Sequence, residues 1–284
     1  MIPFQLAAVG PIIHHPFQFG WGWLQFTGFG IAVVLSFVVA QMVSQEEMKR
    51  RGFDPDPIAD MIFGAIVGGL LGAKLYFVVV LGNWDALFTR GGFVFWGGLI
   101  GGAIGVLIIA ARKKVPIWRT LEVGAPAVAA AYAVGRTGCW GVGDDYGRPW
   151  DGPLAVQFPE GAPPSTAGIM AQEFGVQFPP GTDPATVVAV HPTQLYEVGM
   201  SLIMFAIIWR LRKHHHAEGW LFGVYCILAG IERFIVEFFR AKDDTLPIGI
   251  TIAQTIAIGA VVLGIALLMS RRRPRPTSPS IVGA

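Results

Sequence analysis

The run AVGRTGCWGVGDDYGRPWDGP, Ala133 to Pro153, sets two arginines and two adjacent aspartates among glycines. A guanidinium carries a permanent positive charge and a planar fork of donors that fits a carboxylate or a phosphate through two parallel bonds. Arg136, followed by Gly138, Gly141, Gly143 and Gly147, sets such a group beside flexible backbone, an arrangement suited to gripping an anionic headgroup. The plainer alternative is that these glycines unwind a helix end and that Asp144 or Asp145 caps the turn.

A second set lies in ERFIVEFFR, Glu232 to Arg240. On a helix, Arg233, Glu237 and Arg240 share one face, while Glu232 points about 100° away. The plain reading of this face is an interior salt-bridge ladder that holds the bundle together; Arg233 reads further as a buried cation in need of an anion, and Arg240, one turn beyond Glu237, as an interfacial side chain that snorkels to water. A third set is HPTQLYE, His191 to Glu197, in which Pro192 suits the first helical position. Gln194 and Glu197 fall about one turn apart and can share a face with His191, forming a cluster of donors and acceptors. His191 also fits a simple helix-start role, and Tyr196 a membrane-interface anchor. His214, His215 and His216 form a run in a basic loop, are expected to have no carboxylate or thiol partners, and read as solvated rather than metal-binding.

These groups need a scaffold, and the composition names its class. The 284 residues are 53% hydrophobic and 14% charged, with a mean hydropathy of +0.56, which places the chain in a lipid bilayer and excludes a soluble domain. The net charge of +2 is too small for a nucleic-acid partner. Cys139 and Cys226 suit neither a disulfide framework nor a zinc site. The opening residues lack the pattern of a removable signal peptide, so the first span is expected to act as its own insertion signal.

Seven apolar stretches predict seven transmembrane helices, near Trp23–Val43, Ile58–Val80, Phe93–Ala111, Leu121–Cys139, Pro192–Trp209, Trp220–Phe239 and Ile248–Met269. Fourteen of the 21 Lys and Arg follow the first, third, fifth and seventh of these. The positive-inside rule then puts the N-terminus and the Arg136 motif on the outer face and the tail from 271 to 284 in the cytoplasm. Asp144 to Val190 carries eight prolines and is expected to form a small outward-facing cap with short β-type segments. Within it VQFPEG (Val156–Gly161) and VQFPPG (Val176–Gly181) recur twenty residues apart and suggest a strand pair, with chance similarity of two turns as the alternative. The fold class is therefore an all-α polytopic membrane protein, a single membrane domain with the cap inserted at 144–190. An ionisable residue at the centre of a span costs about 2.5–3.5 kcal/mol, so Lys74, Glu122, Arg136, Asp144, Asp145, Glu197, Glu232, Arg233, Glu237 and Arg240 are expected to face the bundle interior, a water-filled cavity or one another.

Taken in order, GGFVFWGGLIGG, GRTGCWGVGDDYGRP, HPTQLYE and ERFIVEFFR resemble the signatures of the prolipoprotein diacylglyceryl transferases, a similarity running from about Phe26 to the last span. The resemblance implies a bacterial inner-membrane enzyme of seven spans that moves the diacylglyceryl group of phosphatidylglycerol onto the lipobox cysteine of prolipoprotein signal peptides. It implies a thioether product, release of glycerol phosphate, and no metal or diffusible cofactor. Carried over by motif, Arg136 and Arg233 hold the lipid phosphate, Gly147 is the signature glycine and Glu237 the glutamate after the second arginine. Gln194, Tyr196, Glu197, Cys139, Trp96 and Arg148 complete the expected substrate-binding set. The chain departs from the family pattern at Trp96, where histidine is usual, and at Cys139, where asparagine is usual. It departs again at Asp144 or Asp145 in place of glutamate, and at Thr27 and Ala229 in place of tyrosines. Because Trp96 accepts no proton, Asp144 or its neighbour, or His191, is the expected base. A related transferase with another lipid or acceptor, and a non-catalytic lipid-binding or transport protein, are the rival readings.

Overall fold

The computed structural model describes residues 11–21, 24–89, 92, 94–241 and 246–272. The protein is mostly helical: α1 (Gly28–Arg50), α2 (Pro57–Leu81), α3 (Phe95–Arg112), α4 (Ile117–Val142), the short α5 (Ala167–Phe174), α6 (Thr193–Leu211), α7 (Trp220–Glu237) and α8 (Ile252–Ser270). Five strands are short: β1 (Ile12–Ile13), β2 (Gln18–Trp21), β3 (Leu24–Thr27), β4 (Val156–Gln157) and β5 (Ala189–Val190). Among the described residues, five helices are long and apolar enough to cross a membrane: α1, α2, α3, α6 and α8. The helices that carry Arg136 and Arg233, α4 and α7, are not among these five.

Helix ends follow local chemistry and shift the expected boundaries. Thr27 accepts from the Gly30 amide at 3.2 Å, so α1 begins at Gly28; Trp23, the expected start, lies outside the described residues. Pro57 opens α2, where a missing amide hydrogen costs no helical bond. Pro192 proves to be the residue before α6 rather than its first helical position. Thr251 and Gln254 cap α8 reciprocally, which moves its start four residues past the expected Ile248. Phe93 lies outside the described residues, and α3 starts at Phe95. Most of the tail, 273–284, also lies outside them.

Helices pair through glycine. Along the α2–α3 seam, Gly64, Gly68 and Gly72 face Gly97, Gly101 and Gly105; a methyl on Gly72 would strike the Gly97 carbonyl. In the same way Gly28 meets Gly141 between α1 and α4, and Gly223 meets Gly264 between α7 and α8. Small residues let backbones approach where lipid offers no hydrophobic drive for association. The remaining element of the bundle, α6, packs against α4 and α7.

The basic segments meet at one end of the bundle. Glu47 receives Arg50 at 2.7 Å and Arg212 at 3.0 Å, and Arg51 spans Glu47 and Glu122. Glu122 is fully buried and also takes the Gly219 and Leu221 amides at the start of α7 and His214 Nε2 at 2.5 Å. This corrects the expectation for the histidine run. His214 has a carboxylate partner 92 residues away in sequence and its side chain is 7% exposed, while His215 is exposed.

The opposite end carries the cap. Its sheet has the order β1-β4-β5, with β1 parallel and β5 antiparallel to β4. Tyr146, Val156, Phe158, Met170 and Val190 form its core together with Ala241. The two VQFP runs do not pair: Val156–Gln157 is the central strand, and Val176 and Phe178 pack against the core from a coil. The shared proline–glycine ending marks two turns, and the N-terminal Ile12–Ile13 and Ala189–Val190 supply the partners instead.

Candidate active site

The site lies where α4, α6 and α7 meet beneath the cap. Arg136 sits six residues before the end of α4, which Gly143 closes in the left-handed region at φ +70°. The chain then doubles back through Asp144–Arg148, and Gly147 pairs with Arg240 as an isolated antiparallel bridge. Gly147 donates to the His191 carbonyl at 2.9 Å, and Arg148 N donates to the Phe239 carbonyl at 2.8 Å. A side chain on Gly147 would collide with the Phe239 carbonyl and come within 2.7 Å of His191 Cβ. Gly147 thus lets one strap cross the end of α7 and the start of α6 where a side chain has no room.

Glu197, 1% exposed on α6, is the hub. It forms an ion pair with Arg136 Nη2, lies 3.9 Å from Arg233 Nη1 and 3.7 Å from Arg240 Nη1, and accepts from the Tyr132 hydroxyl at 3.1 Å. Arg233 also reaches Glu237 at 2.6 Å along α7. Arg136 Nη1 donates to Asp145 at 2.9 Å and to Cys139 Sγ at 3.2 Å. Arg136 and Arg233, expected to hold a lipid phosphate, both approach the Glu197 carboxylate from separate helices.

Arg240 contradicts its expected role. It does not snorkel: it is 6% exposed, with Nη2 2.6 Å from Asp145 and Nε 3.9 Å from Glu237. Its place on the Arg233–Glu237 face was the signal for this, overridden by its nearness to the helix end. Tyr132 was missed, since a tyrosine among alanines reads as filler until Glu197 is seen beside it.

The two aspartates differ. Asp145 has its carboxyl held well below the usual range by Arg240 and Arg136, which outweigh burial. Burial pushes Asp144 up to about 6, against the Cys139 thiol and the arginines and with Asp145 adding repulsion. Gln194, fully buried, donates to the Asp144 carbonyl at 2.5 Å and Thr193 Oγ1 to the Asp145 carbonyl at 2.7 Å, so α6 fixes the backbone of both. Ligand atoms of Cys139, Asp144 and Asp145 lie within 4.8 Å of one another, but Arg136 and Arg240 already stand where a cation would.

Other expected residues lie at the margin. His191 stacks on Trp150 with centroids 4.4 Å apart, meets Phe239 edge-on, and shares a 3.2 Å hydrogen bond between Nδ1 and the Tyr196 hydroxyl. Its pKa is lowered by burial. Arg148 is exposed and anchored by Nε on the Arg240 carbonyl at 2.9 Å. Trp96 is 43% exposed at the start of α3 and contacts Phe95, on the helix pair α2–α3 rather than on α6 or α7.

Fold and site together define a polytopic helical membrane protein with a buried cluster of arginines and carboxylates suited to an anionic lipid. The profile of the prolipoprotein diacylglyceryl transferase family matches residues 16–270, and the chain belongs to that family. It is 30% identical over 249 residues to the phosphatidylglycerol–prolipoprotein diacylglyceryl transferase of Clostridium tetani, covering 85% of this chain and 92% of that protein. The enzymes of the same name from Idiomarina loihiensis and Geobacter sulfurreducens are 30% and 29% identical, over 96% and 92% of this chain and 97% of each relative.

Proposed function

We propose that this protein transfers the diacylglyceryl group of phosphatidylglycerol to the lipobox cysteine thiol of prolipoproteins, releasing glycerol phosphate. Family membership supports the activity, and the convergence of Arg136 and Arg233 on Glu197 is the observation that carries the site. In this reading the bilayer holds seven spans, α4 and α7 included, within a bacterial inner membrane. The basic ends of α1, α3, α6 and α8 lie in the cytoplasm, and the cap and N-terminus outside. The gathering of Arg50, Arg51 and Arg212 at the end opposite the cap supports that orientation.

The reaction breaks the bond between a glyceryl carbon and phosphate oxygen and forms a carbon–sulfur bond, so negative charge grows on the departing phosphate. Arg136, Arg233 and Arg240, fixed in place by carboxylates before the lipid arrives, stabilise that charge without reorganising. The incoming thiol, with an ordinary pKa of about 8.5, must shed its proton. Asp144 is the acceptor in this scheme: it lies beside Arg136, where the phosphate is held, and is poised to take a proton near neutrality. His191, committed to Trp150, Tyr196 and Phe239, acts instead as a wall of the strap. The proton finally leaves on the glycerol phosphate or in water. The test is transfer from phosphatidylglycerol to a lipobox peptide by purified protein, compared with Arg136→Ala and Arg233→Ala; full activity in both variants overturns the assignment.

A further inference from the structure

Asp145 is held as a ligand is held. One carboxylate oxygen, Oδ2, lies 2.9 Å from Arg136 Nη1, and the other, Oδ1, lies 2.6 Å from Arg240 Nη2. The two guanidiniums come from different elements and are 8% and 6% exposed. The Asp145 side chain between them is 42% exposed. Glu197 and Glu237, which also meet these arginines, project from helices and are 1% and 2% exposed. Asp145 stands on a loop, in the left-handed region at φ +55°, a conformation that costs a non-glycine residue free energy and persists only where contacts enforce it.

We propose that Asp145 is a built-in occupant of an anion seat between Arg136 and Arg240, displaced by a phosphate ester: the diester of the lipid donor or the glycerol phosphate it releases. This deepens the transferase reading and rests on it. Two oxygens of a phosphate span the same two forks that the carboxylate now bridges. Arg136 Nε and Arg240 Nε are buried and have no hydrogen-bond acceptor among the described residues, which leaves donors for the additional oxygens of a tetrahedral ligand. Exchange of the carboxylate for the singly charged diester keeps the charge facing the two arginines constant, and the monoester adds to it, so neither arginine is ever left buried and unpaired. Thr193 keeps its bond to the Asp145 carbonyl, so the side chain can swing toward solvent while the strap stays in place.

The experiment uses the full chain in phosphatidylglycerol-containing nanodiscs, with Asp145→Ala, Asp145→Asn and the charge-preserving Asp145→Glu. Three quantities are measured: KM for phosphatidylglycerol, inhibition by added glycerol phosphate, and thermal unfolding. Removing an internal competitor tightens binding, so Asp145→Ala and Asp145→Asn are expected to lower KM, the inhibition constant, or both by about tenfold, the equivalent of one charge-assisted hydrogen bond. Asp145→Glu, which keeps a competing carboxylate on the strap, is expected to tighten neither constant. A change confined to KM assigns the seat to the lipid diester, and one confined to inhibition assigns it to the monoester. A merely structural role lowers the unfolding temperature without tightening either constant, and that result overturns the proposal, as do unchanged constants in folded variants. Direct calorimetric binding of glycerol phosphate keeps the two claims separate: wild type without transfer activity refutes the enzyme, whereas equal affinity in wild type and Asp145→Ala refutes the seat.

Discussion

Arg136 of α4 and Glu197 of α6 form a buried ion pair, and the same carboxylate lies within 4 Å of Arg233 and Arg240. One acidic residue therefore sets the spacing of three guanidiniums. Glu197→Ala removes the one carboxylate that all three arginines share and leaves them facing one another with only their outer partners, Asp145 and Glu237, and breaking such a network costs about 3–5 kcal/mol. Thermal unfolding of the purified variant is expected to show a clear loss of stability together with loss of transfer. Wild-type melting would mean that the arginines are held elsewhere.

Arginine identity, rather than charge alone, is expected to matter at Arg136 and Arg233. Each reaches two partners through its fork, Arg136 meeting Glu197 and Asp145, and Arg233 meeting Glu237 and Glu197. A lysine presents a point charge and cannot keep both contacts. Arg136→Lys and Arg233→Lys are each expected to lose roughly 100-fold or more in kcat, the scale seen when one preorganised donor is removed from a transition state. Single-turnover kinetics in nanodiscs checks this, and a lysine variant within a few-fold of wild type would contradict it.

Asp144 sets an acid limb. A base works ionised, so with its pKa pushed by burial up to about 6, transfer is expected to rise with pH through that value and level off above it. Asp144→Asn should lower the rate and remove the limb, whereas His191→Ala should keep it. The stability effect has the opposite sign. A carboxyl whose folded pKa lies above its ordinary value favours the folded state when protonated, and that contribution is lost as pH rises through about 6. Asp144→Asn is therefore expected to melt higher than wild type at pH 8, with no such gain at pH 4.

Gly147→Ala is expected to uncouple the strap from the bundle. The added methyl meets the Phe239 carbonyl and His191 Cβ, and overpacking of this kind costs about 1–3 kcal/mol. Proteolysis of the 144–190 segment at a temperature where wild type resists it provides the readout.

At the other end of the bundle, His214→Ala removes one partner of buried Glu122 and leaves Arg51 and two backbone amides in place. A loss of stability with an unchanged KM for lipid is expected, because the arginine site lies at the far end of α4. A raised KM with normal melting would argue that the two ends communicate.

Patterns within one helix were legible in the sequence; partnerships across the chain were not. The Arg233–Glu237 pair follows from a spacing of four on α7, and Arg136 stood out as a charge in an apolar run. Glu197 as the hub was not legible, because its tie to Arg136 spans 61 positions and depends on α6 packing against α4. Arg240 was misjudged because its distance from the helix end counted for more than its face. His214 was misjudged because its carboxylate lies on α4, and the strand partners of Val156 because β1 arrives from the beginning of the chain. Asp144 and Asp145 are adjacent and chemically alike, and only the positions of Arg240 and Cys139 separate the bridging aspartate from the one poised near neutrality.

The uneven apolarity of the helices bears on how the protein is made. If all seven long helices cross the bilayer, α4 emerges from the ribosome carrying Arg136 well before Glu197 is synthesised, and α7 brings Arg233 later still. Neither segment is a good solitary passenger in lipid. The glycine seam with α1 gives α4 an early companion, and α6 then delivers the neutralising acid, so biogenesis is expected to proceed by pairwise release from the insertion machinery rather than by one helix at a time.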